Sequence, residues 1–199
     1  MAGFDLRLRE ALDAAEAVFA RKGYGSASMR DIASAAGMSI AGLYYYLPSK
    51  QRALELVCER AFGTLLDSLD EAIAAAMAPD AKLRAFVRGH LRFVIEHPEA
   101  FRVLLYGMDA LEGQARNAIQ ERRRRYFARA TDLVIAVGQA QPSVVSTRVA
   151  TAALFGMMNW TPMWHHADGA ADVSAIADQM YEIFLRGIAP SPLAEEVVA

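Results

Sequence analysis

Apolar residues recur every three or four positions through most of the chain, which is the period of an amphipathic α-helix. No segment alternates convincingly with the period of two that a strand requires. Glycine and proline interrupt the helical pattern and divide it into about nine segments joined by short connections. The predicted helices cover residues 5–22, 29–36, 40–47, 50–77, 81–96, 99–108, 114–137, 143–165 and 172–187. The pattern therefore predicts an all-α protein.

The most distinctive segment is residues 28–50, SMRDIASAAGMSIAGLYYYLPSK. Ser28, followed three residues later by an acidic residue, has the pattern of a capping box at a helix start. Gly37 can adopt the positive φ that ends a helix, and Ser39 can cap the next helix. Two short helices joined by a tight turn are typical of the helix-turn-helix, whose second helix enters the major groove of DNA. The segment therefore predicts a DNA-binding protein.

The second short helix contains three consecutive tyrosines, Tyr44, Tyr45 and Tyr46. Successive side chains on a helix diverge by about 100°, so the three rings cannot all be buried. At least one or two should be exposed, where the hydroxyls can donate to phosphates and the rings can contact thymine methyl groups. Ala41 and Gly42 are small, which would let the helix lie close to base edges. The alternative is that the tyrosines only pack within the protein.

Two cations flank the tyrosines. Arg30 could reach a guanine or a phosphate, and Lys50 stands at a helix N-terminus, which favours anions. The alternative is that both are solvated charges. Residues 1–52 contain seven Arg or Lys and five Asp or Glu, whereas the remainder contains 14 and 18. A slightly basic end on an acidic body suits DNA binding through that end alone.

The composition of the chain excludes several classes of protein. With 54% hydrophobic residues and a net charge of −2, the chain is neither a disordered tail nor a generally basic nucleic-acid coat. Cys58 is the single cysteine, so no disulfide framework is expected, and its predicted role is a small buried hydrophobe. The N-terminus does not resemble a signal peptide, and no uncharged run has membrane character. We therefore expect a soluble cytoplasmic protein without a membrane partner.

Enzymatic function is not expected. The sequence has no paired nucleophile and base, no glycine-rich phosphate loop and no metal constellation, and the neighbours His165 and His166 would face different ways. We predict no catalytic residue, no metal and no cofactor. A constitutive architectural DNA binder is the remaining alternative, but it would need a broadly basic surface.

The helix-turn-helix segment and the helix before it resemble a known family. ALDAAEAVFARKGY, SMRDIASAAG and GLYYYLPSK are similar, in order and spacing over about residues 8–56, to the DNA-binding domain of TetR-family transcriptional regulators. The resemblance implies a helix-turn-helix domain over 5–65, joined by a long helix to a ligand-binding and dimerisation domain over 66–199. It implies a homodimer whose effector releases operator DNA, and therefore a probable repressor. The DNA contacts it implies are Ser28, Arg30, Ser39, Ala41, Gly42, Tyr44, Tyr45, Tyr46 and Lys50.

The last two predicted helices suggest the dimer interface. Residues 143–165 place Ala150, Ala153 and Gly156 at spacings of three, where small side chains permit close helix approach. Residues 172–187 carry an apolar stripe. Two apolar helices at the end of a chain are expected to pair with a twofold mate as a four-helix interface. The alternative is that both are buried within one subunit.

An effector site is suggested by two unusual segments. Trp160 and Trp164 would share a helix face beside Asn159, as an apolar cavity with one polar handle, unless they only pack at the dimer. Residues 122–125 are four arginines, which could bind phosphate or carboxylate or could simply face solvent. These segments resemble, more loosely, TetR-type repressors that sense acyl-CoA thioesters, which implies a small hydrophobic or amphiphilic effector. The predicted ligand-binding residues are Phe101, Leu105, Arg122, Arg125, Tyr126, Phe155, Asn159, Trp160 and Trp164.

Overall fold

The computed structural model describes residues 2–138, 145–165 and 172–188, and within these ranges no residue forms a strand. The helices are α1 (Ala2–Lys22), α2 (Met29–Ala35), α3 (Ile40–Tyr46), α4 (Lys50–Ala75), α5 (Pro79–Glu96), α6 (Pro98–Tyr106), α7 (Gly113–Gly138), α8 (Thr147–Asn159) and α9 (Val173–Ile188). Short 3₁₀ turns occupy Met108–Ala110 and Thr161–Met163. The predicted all-α fold is confirmed. No helix of the described ranges combines the length and the hydropathy needed to cross a membrane.

The helix boundaries agree closely with the sequence pattern except at α8. The pattern predicts a helix over 143–165, but the α-helix in the described part spans only Thr147–Asn159. Pro162 has no N–H and disfavours helical geometry at the preceding residue, so the chain continues as the 3₁₀ turn. The uninterrupted helix expected from the apolar run was therefore wrong at its C-terminal end.

This early end changes the surroundings of the tryptophans. Trp160 and Trp164 flank the 3₁₀ turn and do not share an α-helix face as predicted. Both are exposed, by 62% and 47%. Residues 139–144 and 166–171 lie outside the described residues, so the helix start predicted at residue 143 and the side chain of His166 are not placed.

The contacts within the chain divide it into two compact units. The first combines the residues up to 64 with 97–124, and the second combines 65–96 with the residues from 125 onward. The first division falls one residue from the boundary predicted at 65/66. The segment 97–124 belongs with the N-terminal residues because α6 packs on α1, which the continuous division 5–65 and 66–199 did not anticipate.

The first unit holds the helix-turn-helix in a small apolar core. Helices α1, α2 and α3 pack against one another, and Ile32, Leu43 and Leu47 are fully buried. Gly37 has a φ of 62°, the left-handed conformation predicted for the end of α2. Cys58 on α4 is also fully buried, as expected, and desolvation raises the pKa of its thiol to about 12. This core fixes the direction in which α3 projects.

In the second unit, α5 packs against α8 and α9. One apolar face of α5 is buried throughout, and it comprises Leu83, Phe86, Val87, His90, Leu91 and Val94. Most of the apolar stripe of α9 is buried against the same unit, including Ile176, Ala177, Met180 and Phe184. Ion pairs fasten α9 to α5, from Arg84 to Glu182 at 2.5 Å and from Arg88 to Asp178 at 2.6 Å. That stripe is thus mainly intrasubunit core, because α5 covers it.

Candidate DNA-binding surface and buried polar chain

The start of α2 is held by a reciprocal cap. Ser28 Oγ accepts a hydrogen bond from the Asp31 N–H at 3.2 Å, and the Ser28 N–H donates to Asp31 Oδ2 at 2.9 Å. The Ser28 hydroxyl donates to the same carboxylate oxygen. A 2.6 Å bond from Lys22, together with those from Ser28, lowers the pKa of Asp31 to about 2. The hydroxyl hydrogen of Ser28 is therefore engaged in the cap, and its contact with DNA stays a prediction.

A second cap begins α3. Ser39 Oγ accepts a hydrogen bond from the Gly42 N–H at 3.0 Å, which leaves its own O–H free to donate to a phosphate. A Cβ added at Gly42 would lie 3.1 Å from Ser39 Oγ. Glycine at position 42 therefore makes room for this cap as well as thinning the outer face of α3.

The tyrosines of α3 are divided between surface and packing. Tyr44 is 47% exposed and Tyr45 is 72% exposed, as the 100° spacing predicted. Tyr46 is half-buried and packs edge-on against Tyr45, with ring centroids 5.1 Å apart. Arg30 and Ala41 are also exposed. Tyr44, Tyr45, Arg30, Ala41 and the free O–H of Ser39 are thus available to a ligand of the helix-turn-helix.

Phe4 contacts two of the tyrosines of α3, which the helical spacing did not predict. Its ring lies 5.1 Å from that of Tyr46 and 5.8 Å from that of Tyr45. Phe4 lies in the first turn of α1, about forty residues before the tyrosines, so no local spacing signals the contact. The only sequence signal is an aromatic residue in an otherwise charged N-terminus.

Lys50 has a structural role that the sequence did not reveal. Its Nζ donates to the carbonyl oxygens of Tyr24 and Ala27, at 3.0 and 2.9 Å, and lies 4.4 Å from the centre of the Tyr24 ring. An ammonium has three N–H donors, so at most one remains for a phosphate. Lys50 thus holds the α1–α2 connection, and a direct contact with DNA stays a prediction.

The second unit contains a buried chain of polar side chains. His90 Nδ1 lies 2.9 Å from the Tyr126 hydroxyl oxygen, and His90 Nε2 lies 3.0 Å from Asn159 Oδ1. Burial lowers the pKa of His90 to about 4 and raises that of Tyr126 far above its ordinary value. Both side chains are therefore neutral at physiological pH. Local sequence patterns could not predict these bonds, because the partners of His90 are 36 and 69 residues away.

Aromatic rings surround this polar chain, which we call the His90 chain. The Phe155 ring on α8 lies 5.6 Å from the His90 ring, 6.0 Å from Tyr126 and 5.9 Å from Phe86. It also stacks on Phe127 at 5.0 Å, where Phe127 is 38% exposed. Three of the predicted ligand-binding residues, Tyr126, Phe155 and Asn159, are therefore brought together in one cluster.

The other six predicted ligand-binding residues differ in exposure and in the unit to which they belong. Phe101 and Leu105 lie on α6 in the first unit, where Phe101 is buried and Leu105 is exposed. Arg122, also of the first unit, faces Glu59 at 4.0 Å, and Arg125 is exposed. Trp160 and Trp164 flank the 3₁₀ turn. The ligand roles of these six residues stay predictions.

Comparison with known proteins identifies the architecture. A model of bacterial regulatory proteins of the tetR family matches residues 11–56. A model of the tetracyclin repressor-like C-terminal domain matches residues 76–188, more than half of the chain. The chain belongs to the TetR family. It is a transcriptional regulator with a helix-turn-helix DNA-binding domain and a C-terminal domain of the ligand-binding type, and the family resemblance is confirmed.

Individual TetR-family proteins match over nearly their whole length. The transcriptional repressor KstR2 of Rhodococcus jostii is 24% identical over 186 residues, covering 92% of this chain and 91% of that protein. A TetR-family regulator from Bordetella parapertussis is 28% identical with a TM-score of 0.83, covering 89% and 93% of the two chains. AibR, solved with isovaleryl coenzyme A and operator DNA, is 25% identical with a TM-score of 0.80, covering 89% and 97%.

Proposed function

We propose that this TetR-family regulator is a ligand-responsive repressor. A homodimer binds operator DNA through α3, and a small hydrophobic or amphiphilic effector bound in the second unit releases it. The observation that carries the proposal is the outer surface of α3, where Tyr44 and Tyr45 are exposed on a helix anchored by the buried Leu43 at its middle and Leu47 at its C-terminal end. Because the operator is chromosomal DNA, we expect the protein to act in the cytoplasm.

On DNA, each exposed group of the helix-turn-helix has a distinct role. The hydroxyls of Tyr44 and Ser39 and the guanidinium of Arg30 would donate to phosphates, which set the position of the protein on the duplex. The Tyr45 ring and the Ala41 methyl group would lie against base edges, where thymine presents a methyl group. Gly42 would keep the backbone close to the groove, and Tyr46 would support Tyr45.

The dimer is expected to form through the outer faces of α8 and α9. Val149, Ala153 and Gly156 are exposed, and their spacings of four and three put them on one face of α8. The exposed Trp160 follows directly at the C-terminal end of the helix. On α9, Ile183 is 64% exposed. Such an apolar face on a soluble domain marks an interaction site. Two-fold pairing would set two recognition helices about 34 Å apart, one turn of DNA.

We place the effector at the His90 chain. Its rings offer an apolar surface and Asn159 a polar group, which is the usual composition of a small-molecule site. An acyl-CoA is the proposed class because AibR, similar to this chain over nearly its whole length, was solved with isovaleryl coenzyme A. Arg125 precedes Tyr126 in the chain and is exposed without an ion pair in the described structure, so it could bind the phosphates of such a ligand.

Selection of DNA from a random library by the full-length protein tests the operator part of the proposal. We expect enrichment of an inverted repeat with half-sites about 10 base pairs apart, because a two-fold dimer presents two equivalent helices. Enrichment of no defined sequence would favour an architectural DNA binder and contradict the proposal.

Titration of the protein–operator complex with isovaleryl coenzyme A tests the effector part. Release of the DNA is expected with the thioester and not with free coenzyme A, which lacks the apolar group. If neither compound releases DNA while both leave the fold intact, the acyl-CoA assignment is wrong and the operator assignment is unaffected.

A further inference from the structure

The outer end of the His90 chain carries two hydrogen-bond donors that nothing in the described structure uses. Asn159 is half-buried at the C-terminus of α8, and its Oδ1 lies 3.0 Å from His90 Nε2. Its Nδ2 has no hydrogen-bond partner among the described residues. A carboxamide held by its oxygen alone therefore presents its NH₂ group to whatever lies beside it.

The direction of the hydrogen bonds follows from the burial of Tyr126. A neutral imidazole has one N–H and one acceptor nitrogen, so the chain can run in either of two directions. If Nδ1 carried the proton, it would donate to the Tyr126 oxygen, and the buried Tyr126 O–H would be left without an acceptor. An unmade hydrogen bond at a buried group is unfavourable. Tyr126 therefore donates to Nδ1, Nε2–H donates to Asn159 Oδ1, and the Asn159 NH₂ points away from the chain.

The face of α8 that carries Asn159 also supplies an apolar surface. Thr151, Phe155 and Asn159 follow one another at intervals of four residues and so share one face of the helix. Phe155 is half-buried and stacks on the partly exposed Phe127. The Thr151 hydroxyl is fully buried and has no hydrogen-bond partner in the described structure. This face thus combines the half-buried Phe155 ring with two polar groups whose bonding capacity is unused in the described structure.

We propose that Asn159 selects the polar group of the effector, and that this group is an oxygen acceptor, a carbonyl or a carboxylate, next to an apolar chain on Phe155 and Phe127. This inference rests on the proposed effector site. His90 and Tyr126 are positioning residues, because they determine which edge of the Asn159 carboxamide faces the ligand. An ammonium group in the same place, which has donors and no acceptor, would meet N–H groups and be rejected.

Two probes that differ only in the acceptor oxygen test the proposal. Isovaleryl coenzyme A has a carbonyl group, and its S-(3-methylbutyl) thioether analogue has the same carbon count without the oxygen. Calorimetric titration of the full-length protein with both should show that the thioester binds about tenfold more tightly, as expected for a half-buried hydrogen bond. The ratio of the two Kd values within one variant is independent of any general loss of stability.

Two variants should weaken the preference. Asn159→Asp keeps the shape and the bond from His90 Nε2–H but replaces the NH₂ group by an oxygen, so the Kd ratio should fall to about one or invert. Tyr126→Phe removes the hydrogen bond to Nδ1 that selects the tautomer, so both directions of the chain become populated and the Kd ratio should fall part of the way towards one. Arg148→Gln, at an exposed position of the same helix, should keep the wild-type ratio.

The tautomer of His90 provides a measurement that should not change between the wild type and Tyr126→Phe if Tyr126 had only a structural role. Nitrogen-15 NMR of His90 should show a protonated Nε2 and an unprotonated Nδ1 in the wild type, and a shift of the proton towards Nδ1 in Tyr126→Phe. Equal binding of thioester and thioether, or a preference that survives in Asn159→Asp, would overturn the inference while leaving the effector site in place. If neither probe binds, the acyl-CoA proposal itself fails, and this inference fails with it.

Discussion

Lys50 shows how a residue chosen for its charge can have a second role. The sequence suggested a phosphate contact at a helix N-terminus, whereas its ammonium bridges the carbonyls of Tyr24 and Ala27 across the α1–α2 connection. Charged hydrogen bonds to backbone carbonyls are stronger than neutral ones. Residue type and local spacing could not show this, because the partners are 23 and 26 positions away.

Lys50→Met should therefore lower the stability of the folded protein in the absence of DNA. The variant removes two charge-assisted hydrogen bonds at a partly buried site, which we expect to cost about 1–2 kcal/mol. For a chain of this size the thermal midpoint should fall by about 4 °C. Lys82→Met, the control, has no such bonds in the described structure and should shift the midpoint little. Unchanged stability with lost operator binding would instead show that Lys50 acts on phosphate.

His90 gives a prediction for the dependence of stability on pH. Its pKa is about 4 in the folded protein and about 6.5 in an unfolded chain. Between these values only the unfolded state takes up the proton, so the contribution of His90 to the free energy of unfolding falls as the pH falls. From pH 7 to pH 5 the expected loss is about 2 kcal/mol.

Urea unfolding of the wild type and of His90→Gln at both pH values isolates this term. The stability advantage of the wild type over the variant should shrink on acidification, since the other histidines are common to both proteins. An advantage that is constant or grows at pH 5 would mean that His90 is not buried as a neutral imidazole.

At the scale of elements, sequence signals that act within about one helical turn predicted the helix boundaries well. Contacts between residues far apart in the chain could not be predicted from such signals. The caps at Ser28 and Ser39 and the stop at Gly37 located α2 and α3 because each signal acts within four residues. The C-terminal end of α8 was missed because the apolar run outweighed Pro162 in the sequence pattern. The contact of Phe4 with the tyrosines and the His90 chain were missed because they join different elements.

Phe4→Ala tests whether the first turn of α1 supports the recognition helix. Losing its ring contacts with Tyr45 and Tyr46 should let the Tyr45 side chain leave its observed position, and an aromatic pair is worth about 0.5–1.5 kcal/mol. We expect operator affinity to fall by up to about tenfold. Leu6→Ala, exposed on the same helix, is the control, and Phe4→Tyr should restore binding. Equal affinities for Phe4→Ala and Leu6→Ala would remove Phe4 from the site.

At the scale of the molecule, the sequence suggested the dimer helices but not their interacting faces. The apolar stripe of α9 is largely covered by α5 within the subunit. Of the three small residues predicted at the interface, Ala153 and Gly156 are exposed, whereas Ala150 is buried. The period of the pattern identifies an apolar face but not its partner. Only the packing of α5 distinguishes the intrasubunit face from the outer one.

Gly156→Glu should disrupt the proposed dimer. The variant places an unpaired carboxylate in the middle of the exposed apolar face of α8, and burying such a charge at an interface is strongly unfavourable. Sedimentation equilibrium should show a monomer, with operator affinity reduced because one helix-turn-helix alone binds weakly. Ala128→Glu, at an exposed position of α7, should stay dimeric. A dimeric Gly156→Glu variant would place the interface elsewhere.

The most direct test of the central claim is the affinity of Tyr44→Ala for the selected operator, measured by fluorescence anisotropy. A matched control is Tyr106→Ala, because Tyr106 is 73% exposed on α6 and lies outside the helix-turn-helix. If α3 binds DNA through its exposed tyrosines, Tyr44→Ala should lose about tenfold or more in affinity while Tyr106→Ala binds like the wild type. Wild-type affinity in a folded Tyr44→Ala protein would contradict the account.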